Sequence, residues 1–490
     1  MTEQVAVIGA GPAGLAAARW LKQRGLRPVL IEAHDGIGGQ WDGSNPLSGV
    51  WPEMRTNTAR ITTSFSDLDY PADVAVFPRN QEVLAYLRRY AQMFGLLDGA
   101  RLGSRLQALD QVPGGYRLRL ESRDGIEEIT VPRVVIASGR YNKPNIPAIP
   151  GLAGFTGELG ARHAFHYKSP EAFRGKRVVV AGGSISALEI ASDLAMLGSR
   201  AVVLSQRRQR YVMPKMVRGV PLEYYAFTRG GALMRDHATA EELDRAQQDF
   251  VLAYGGDPAR YGAPKPHPDI RKAGFTGSQH YLNLVAENRL AVRPWIARVQ
   301  GQTVTFTDGS AVEADAIIIG TGFDLNLPFL SPEIARTLQA DAKGLCIADF
   351  TFHPDLPGLA LMGLWPQQGP YPVPLEQQAR YIAYAWSGAI PAPSRARLEA
   401  GLAACTAEAQ FGDYRDQNEM ALRFARLCGT DPAGVGDAAL QRMLAASATT
   451  AIMFRMTGPD ALPDAVERFR AQFHRFGPAL DAAAETALAS

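Results

Sequence analysis

The sequence predicts an α/β fold with two Rossmann-like dinucleotide-binding domains, the second inserted in the first, and a helical C-terminal extension. Three observations carry this expectation. Two apolar strands each break into a glycine-rich turn and resume as a helix. After each turn a hairpin around Asp-Gly leads into a buried strand that ends in small residues. The chain beyond about Arg395 is rich in alanine and reads as helical. The expected boundaries are 1–150 for the first part of the first domain and 151–320 for the inserted domain, with a helical insertion at about 211–290. Residues 321–490 then hold the second part of the first domain and the helical region.

The first strand, Val5-Ala6-Val7-Ile8, meets the turn Gly9-Ala10-Gly11-Pro12-Ala13-Gly14 and continues as a helix. Gly9 permits the sharp reversal, Gly11 lets a pyrophosphate approach the backbone, and Gly14 lets helix and strand pack closely. Phosphates then meet the unpaired N–H groups at the helix start. A second strand, Pro28–Ile31, ends in Glu32, about 20 residues on, where an acid hydrogen-bonds ribose hydroxyls.

Ile37-Gly38-Gly39-Gln40-Trp41 opens a passage to about Pro78 without periodicity, too long and too aromatic to be an idle or disordered link. Asn80 is expected to cap the helix that follows. Tyr116–Gly139 reads as strands around Asp124-Gly125, and Pro144, Pro147 and Pro150 form a stiff link to the inserted domain. There, Arg177–Val180 leads to the second turn, Ala181-Gly182-Gly183-Ser184-Ile185-Ser186-Ala187, with Ser184 and Ala187 at the second and third glycine positions. Ser184 and Ser186 are candidate phosphate contacts. The next strand ends in Ser205-Gln206-Arg207-Arg208 rather than an acid. Guanidinium groups grip a 2′-phosphate in charge-assisted pairs, so Ser205, Arg207 and Arg208 point to NADPH rather than NADH.

Of 490 residues, 51 are Lys or Arg and 49 are Asp or Glu, a balance without charge blocks that argues against a nucleic-acid protein. No apolar run reaches the ~18 residues of a membrane helix, and no room precedes the first strand for a signal peptide. A cytoplasmic protein without a membrane partner is expected, with a homodimer as the default assembly. Cys346, Cys405 and Cys428 lie far apart, so no C-x-x-C pair exists to pass electrons to a flavin, which argues against a pyridine nucleotide–disulfide oxidoreductase. His163 and His166 have no further ligands at metal spacing, and no metal is expected.

Phe155-x-Gly157 followed by His163-x-x-x-Tyr167-Lys168 resembles the fingerprint of the class B flavin-dependent monooxygenases, with two additional residues between Gly157 and His163. Gly39-Gln40-Trp41 is similar to that family's flavin-contacting segment, and Thr56-Asn57 to its Thr-Asn pair. Gly320-Thr321-Gly322-Phe323 and Glu376-Gln377-Gln378-Ala379-Arg380 resemble two later family segments. The resemblance implies FAD at the first turn, held with the help of Gly39, Gln40, Trp41 and Thr56, and NADPH at the second. It implies that O₂ adds to reduced FAD as a C4a-(hydro)peroxyflavin and that one oxygen atom passes to a small organic substrate. Asn57 is the residue assigned to that step, because a neutral amide donates and accepts without supplying an acid. His163 is assigned a structural role. Tyr167-Lys168 stands where the Baeyer–Villiger branch has Trp-Pro, which favours oxygenation at amine nitrogen or sulfur. Baeyer–Villiger oxidation of a ketone, a non-oxygenating flavoprotein reductase and a nucleotide-binding sensor without turnover are the alternatives.

Overall fold

The computed structural model describes residues 3–409 and 414–475, without the side chains of 406–409. Two parallel sheets organise it. The first has the strand order Arg27–Ile31, Gln4–Ile8, Arg133–Ile136, Leu359–Leu361. The second, of five strands, runs Ala291–Arg293, Ala201–Ser205, Arg177–Ala181, Ala316–Ile319, Gly160–His163.

Both sheets follow one design, dictated by the two-residue side-chain period of a strand. In the first, Val5, Val7, Leu30 and Val135 face the helices Pro12–Gln23 and Pro372–Ser387, while Ala6, Ile8, Ile31 and Val134 face an antiparallel meander of Arg105–Val112, Gly115–Ser122 and Gly125–Val131. In the second, Val178, Val180, Leu204 and Ile318 pack on the helix Ile185–Leu197. Val179, Ala181, Ile317 and Ile319 pack on a second meander, Ile296–Gln300, Thr303–Phe306 and Ala311–Glu313. Both Asp-Gly turns lie inside these meanders. Where the chain passes between the sheets, Lys143–Pro144 pairs antiparallel with Phe323–Asp324.

The passage after Gly39 is largely irregular yet packed, with Trp51, Thr56, Ala59, Phe65 and Tyr70 buried. Asn80 does not cap. It is the first residue of the helix Asn80–Met93, and its amide donates to the Trp51 carbonyl, a partner 29 positions away that no local pattern announces.

The insertion contributes the helices Glu223–Ala226, Arg229–Arg235 and Ala240–Tyr254. It is anchored to C-terminal helices as well as to its own domain. Arg229 pairs with Asp431 at 2.7 Å, Arg426 with Asp236 at 2.6 Å, and the Asn418 amide donates to the Thr228 carbonyl. The helix Pro372–Ser387 turns polar residues inward, so that Glu376, Gln377, Gln378 and Arg380 are fully buried. Each has partners: Glu376 accepts from the Ser66 N–H, Gln377 accepts from the Thr430 hydroxyl at 3.2 Å, Gln378 bridges the Gly363 N–H and the Leu361 carbonyl, and Arg380 donates to the Phe454 carbonyl. The segment that resembles a late family motif is thus a polar core. Among the described residues no helix is long and apolar enough to cross a membrane.

Candidate functional site

One continuous cavity of about 1660 Å³ runs between the two sheets, from the first glycine turn to the second. Gly9 has φ +106°, and a Cβ there would lie 2.6 Å from the Ala137 carbonyl oxygen. Gly14 faces the strand instead of the cavity, since a Cβ there would lie 1.9 Å from the Gly9 oxygen. Gly11 is different: its nearest neighbour is Gly39, whose own Cβ would approach the Gly11 Cα at 3.0 Å. Two bare backbones thus form the cavity floor where the first helix begins. No side chain caps that helix, nor the second-turn helix behind Ser184. Both leave N–H groups open to an anion.

Glu32 is buried at the rim, its carboxylate accepting from the Ala10 N–H at 2.7 Å and the His34 N–H at 2.9 Å. Gln40 ties its loop together: its amide donates to the carbonyls of Leu47 and Tyr141 and accepts from the Gly49 N–H at 2.8 Å. Trp41 lines the cavity and packs on the first core. Lys168 donates to the carbonyls of Ser48 and Val50, both at 2.7 Å, and Trp51 donates to Asp193 of the second-turn helix at 2.8 Å. The passage 37–78 is therefore clamped between the two domains. Burial pushes the Asp193 carboxyl up to about 6.

Thr56 is buried, and its hydroxyl donates to the Thr58 carbonyl at 2.8 Å. This closes the turn that carries Asn57. The Asn57 amide lines the cavity, and its Oδ1 is buried without a hydrogen-bond partner. A buried acceptor left unpaired is costly, and Asn57 Oδ1 shares that state with Ser138 Oγ, Asn142 Oδ1, Thr276 Oγ1 and Asn418 Oδ1, whose residues line the same cavity. Only two acids line the cavity among the described residues: Glu32, held by backbone, and Asp416, paired with Arg235. Burial pushes the Asp416 carboxyl up to about 6 despite that arginine.

At the second turn Gly182, Ser184 and Ser186 line the cavity, the two serines exposed. Arg207 and Arg208 do too, Arg207 over the Trp295 ring at 4.7 Å and Arg208 donating to the Lys272 carbonyl at 2.7 Å. Ser205 is a correction. It is fully buried, does not line the cavity, and its hydroxyl donates to the Pro294 carbonyl at 2.9 Å. As the last residue of its strand it faces the sheet's own connections.

Of the lining residues, Tyr141, Tyr225, Phe227, Met234 and Arg210 were not expected from the sequence. Tyr141 and Tyr371 meet hydroxyl to hydroxyl at 3.1 Å, and Phe323 packs edge-on against Tyr141 and His163. Tyr225, Phe227 and Met234 come from the insertion. Arg210 is a half-buried guanidinium two residues beyond Arg208, its pKa lowered by burial and by that neighbour. Its place in an arginine-rich stretch was the one available signal. His163 accepts the Phe165 N–H on Nδ1 at 3.1 Å, and burial lowers its pKa, so the ring packs as a neutral group.

The family profile described as flavin-binding monooxygenase-like matches residues 2–424. The human putative dimethylaniline monooxygenase [N-oxide-forming] 6 is 27% identical over 410 residues, 80% of this chain and 74% of the relative. The rat dimethylaniline monooxygenase [N-oxide-forming] 2 is 26% identical, over 82% of this chain and 77% of its own. Among solved structures, the S-allyl-L-cysteine S-oxygenase of Allium sativum superposes with a TM-score of 0.66 at 22% identity, covering 97% of this chain and 99% of that one. Cyclohexanone monooxygenase in its Rotated conformation superposes with a TM-score of 0.65 at 18% identity, covering 89% and 98%. Both share the fold, two Rossmann-like domains.

Proposed function

Because the chain belongs to the flavin-binding monooxygenase-like family, whose members use FAD and NADPH, we propose that it oxygenates an amine nitrogen or sulfur of a small organic molecule. The observation that carries this reading is the unpartnered Asn57 Oδ1, in a cavity whose two acids are both held by other groups. FAD, when bound, supplies the activation of O₂ and the transfer of one oxygen atom, driven by NADPH.

This chain's residues do the rest. The first domain holds FAD: the Gly11–Gly39 floor and the open helix start take its pyrophosphate, and Glu32 takes a ribose. Gln40 keeps the Gly39–Trp41 loop closed over it. The second domain holds NADPH at Gly182, Ser184 and Ser186, with Arg207 and Arg208 reading the 2′-phosphate. Asn57 presents a donor and an acceptor at the place of oxygen transfer without offering a proton that would release peroxide. The aromatic lining of Phe227, Phe323, Tyr141 and Tyr371 excludes water.

The relatives named as N-oxide-forming and the S-oxygenase neighbour support heteroatom oxygenation, as does Tyr167-Lys168. The cyclohexanone monooxygenase neighbour supports a second reading, insertion of oxygen beside a ketone carbonyl. Product analysis with a tertiary amine, a dialkyl sulfide and a cyclic ketone separates them. The expected products are an N-oxide and a sulfoxide; lactone alone would establish the second reading.

A further inference from the structure

We propose that Glu223 is a positioning residue, through which the insertion holds the turn that carries Asn57. The inference rests on the role given to Asn57 above. That turn is rich in hydroxyls. Thr58 and Thr63 meet at 3.0 Å, and the hydroxyls of Thr62 and Thr63 each donate to the Ala59 carbonyl at 3.0 Å. These bonds satisfy carbonyls and hydroxyls, but the Ala59 N–H still needs an acceptor, and Ala59 is buried. The acceptor is Glu223 Oε1, from a helix 164 positions away, which Thr62 Oγ1 also approaches at 3.4 Å.

The helix that carries this carboxylate is itself fixed at its end. Glu223 is 2% exposed, and its Oε2 has no hydrogen-bond partner. Just past its helix, the Phe227 carbonyl accepts the Thr449 N–H at 2.9 Å, the Thr228 carbonyl accepts the Asn418 amide, and Arg229 pairs with Asp431. Arg60, next to Ala59, is committed elsewhere, to the carbonyls of Pro71, Ala72 and Val74. Leu222, Tyr225, Ala226 and Phe227 around Glu223 line the cavity. The same short helix therefore walls the cavity and grips the Asn57 turn. Since Asn57 Oδ1 has no partner of its own, the direction of its amide depends on the backbone that Glu223 anchors.

The test uses the FAD-loaded enzyme and reads hydrogen peroxide released per NADPH oxidised, beside the anaerobic rate of flavin reduction. Glu223→Ala is expected to raise peroxide release severalfold while the reduction rate and the KM for NADPH stay at wild-type values. Glu223→Gln, whose amide oxygen still accepts the Ala59 N–H, is expected to keep wild-type coupling, whereas Glu223→Met, which fills similar space with only a thioether there, is expected to uncouple, a difference that loss of packing alone does not explain. If Glu223→Ala fails to retain FAD, Glu223→Asp, one methylene short of Ala59, is expected to uncouple in the same way. Wild-type coupling in the Ala, Asp or Met variant overturns the proposal, and so does a Gln variant as uncoupled as Ala. If Asn57→Ala itself leaves coupling unchanged, the reading of Asn57 falls. If Asn57→Ala uncouples while the Glu223 variants do not, only the role of Glu223 falls.

Discussion

The two glycine turns share a strand, a turn and a helix, yet the protein surrounds them differently. At the first, the glycines at 9, 11 and 14 are packed against Ala137, Gly39 and the strand end, and Glu32 is buried under two backbone N–H bonds. At the second, Ser184, Ile185 and Ser186 are exposed, Ala187 replaces the last glycine, and the arginines that follow are exposed. The same local fold is enclosed in one place and left open in the other. Enclosure suits a resident FAD, and openness suits an NADPH that comes and goes. Of the passage 37–78, Gly38 and Gly39 meet the first turn, the Gly38 N–H donating to the Ala10 carbonyl at 2.9 Å and Gly39 lying against Gly11.

The comparison is broken most severely at Gly14. A Cβ there would sit 1.9 Å from the Gly9 oxygen, backbone that cannot step aside. Gly14→Ala is expected to abolish bound flavin, read as loss of flavin absorbance in the purified protein. At the second turn Ala187 already occupies the equivalent place, so Ala187→Gly is expected to leave NADPH binding nearly unchanged. Retained FAD in Gly14→Ala would contradict the enclosed reading of the first turn.

The next effect separates the two cofactors. Replacing Arg207 and Arg208 together by Ala removes two charged hydrogen-bonding groups, each worth about 1.5–3 kcal/mol to a charged partner. The KM for NADPH is expected to rise by roughly tenfold or more, with little change for NADH. Equal changes would show that these arginines do not read the 2′-phosphate.

A pH experiment sharpens the cover over the Asn57 turn. Burial pushes the Glu223 carboxyl from 4.5 to about 7. A folded-state pKa raised above the unfolded value means that the contribution to stability is complete below about pH 4.5 and is lost as the pH rises through about 7. Glu223→Gln does not titrate, so its thermal stability is expected to gain on wild type between pH 5 and 8, by on the order of 3 kcal/mol at most. Asp193 and Asp416, both raised to about 6, act with the same sign in both proteins and cancel from the difference. A constant gap in Tm across that range would contradict the assignment. The smallest effect belongs to Ser205. Ser205→Ala loses one bond to the Pro294 carbonyl, about 1 kcal/mol of stability, and is expected to leave the KM for NADPH unchanged.

What could be read from the residues alone was whatever is local. Strand alternation, the glycine turns and the Asp-Gly hairpins at 124–125 and 308–309 each depend on neighbours a few positions apart, and the strands stand where the pattern put them. Partners distant in sequence stayed hidden. Asn80 looked like a cap because its true partner, the Trp51 carbonyl, is not local. Ser205 looked like a cofactor contact because Pro294 lies 89 positions on. Gln377 and Arg380 were legible only as part of a segment that resembles a family motif; that they satisfy a carbonyl and one another in a core depends on partners the segment does not contain. Glu223 carried no signal at all, since nothing around it announces a buried acceptor for Ala59.

We propose that the space between the two turns, with Asn57 in it, directs oxygen to substrate instead of to free peroxide. The most direct measurement is peroxide released per NADPH oxidised in Asn57→Ala, with a tertiary amine or sulfide that the wild type turns over. The expected result is a wild-type rate of flavin reduction together with a large rise in released peroxide. Coupling equal to wild type, with product formed at the same rate, would contradict it.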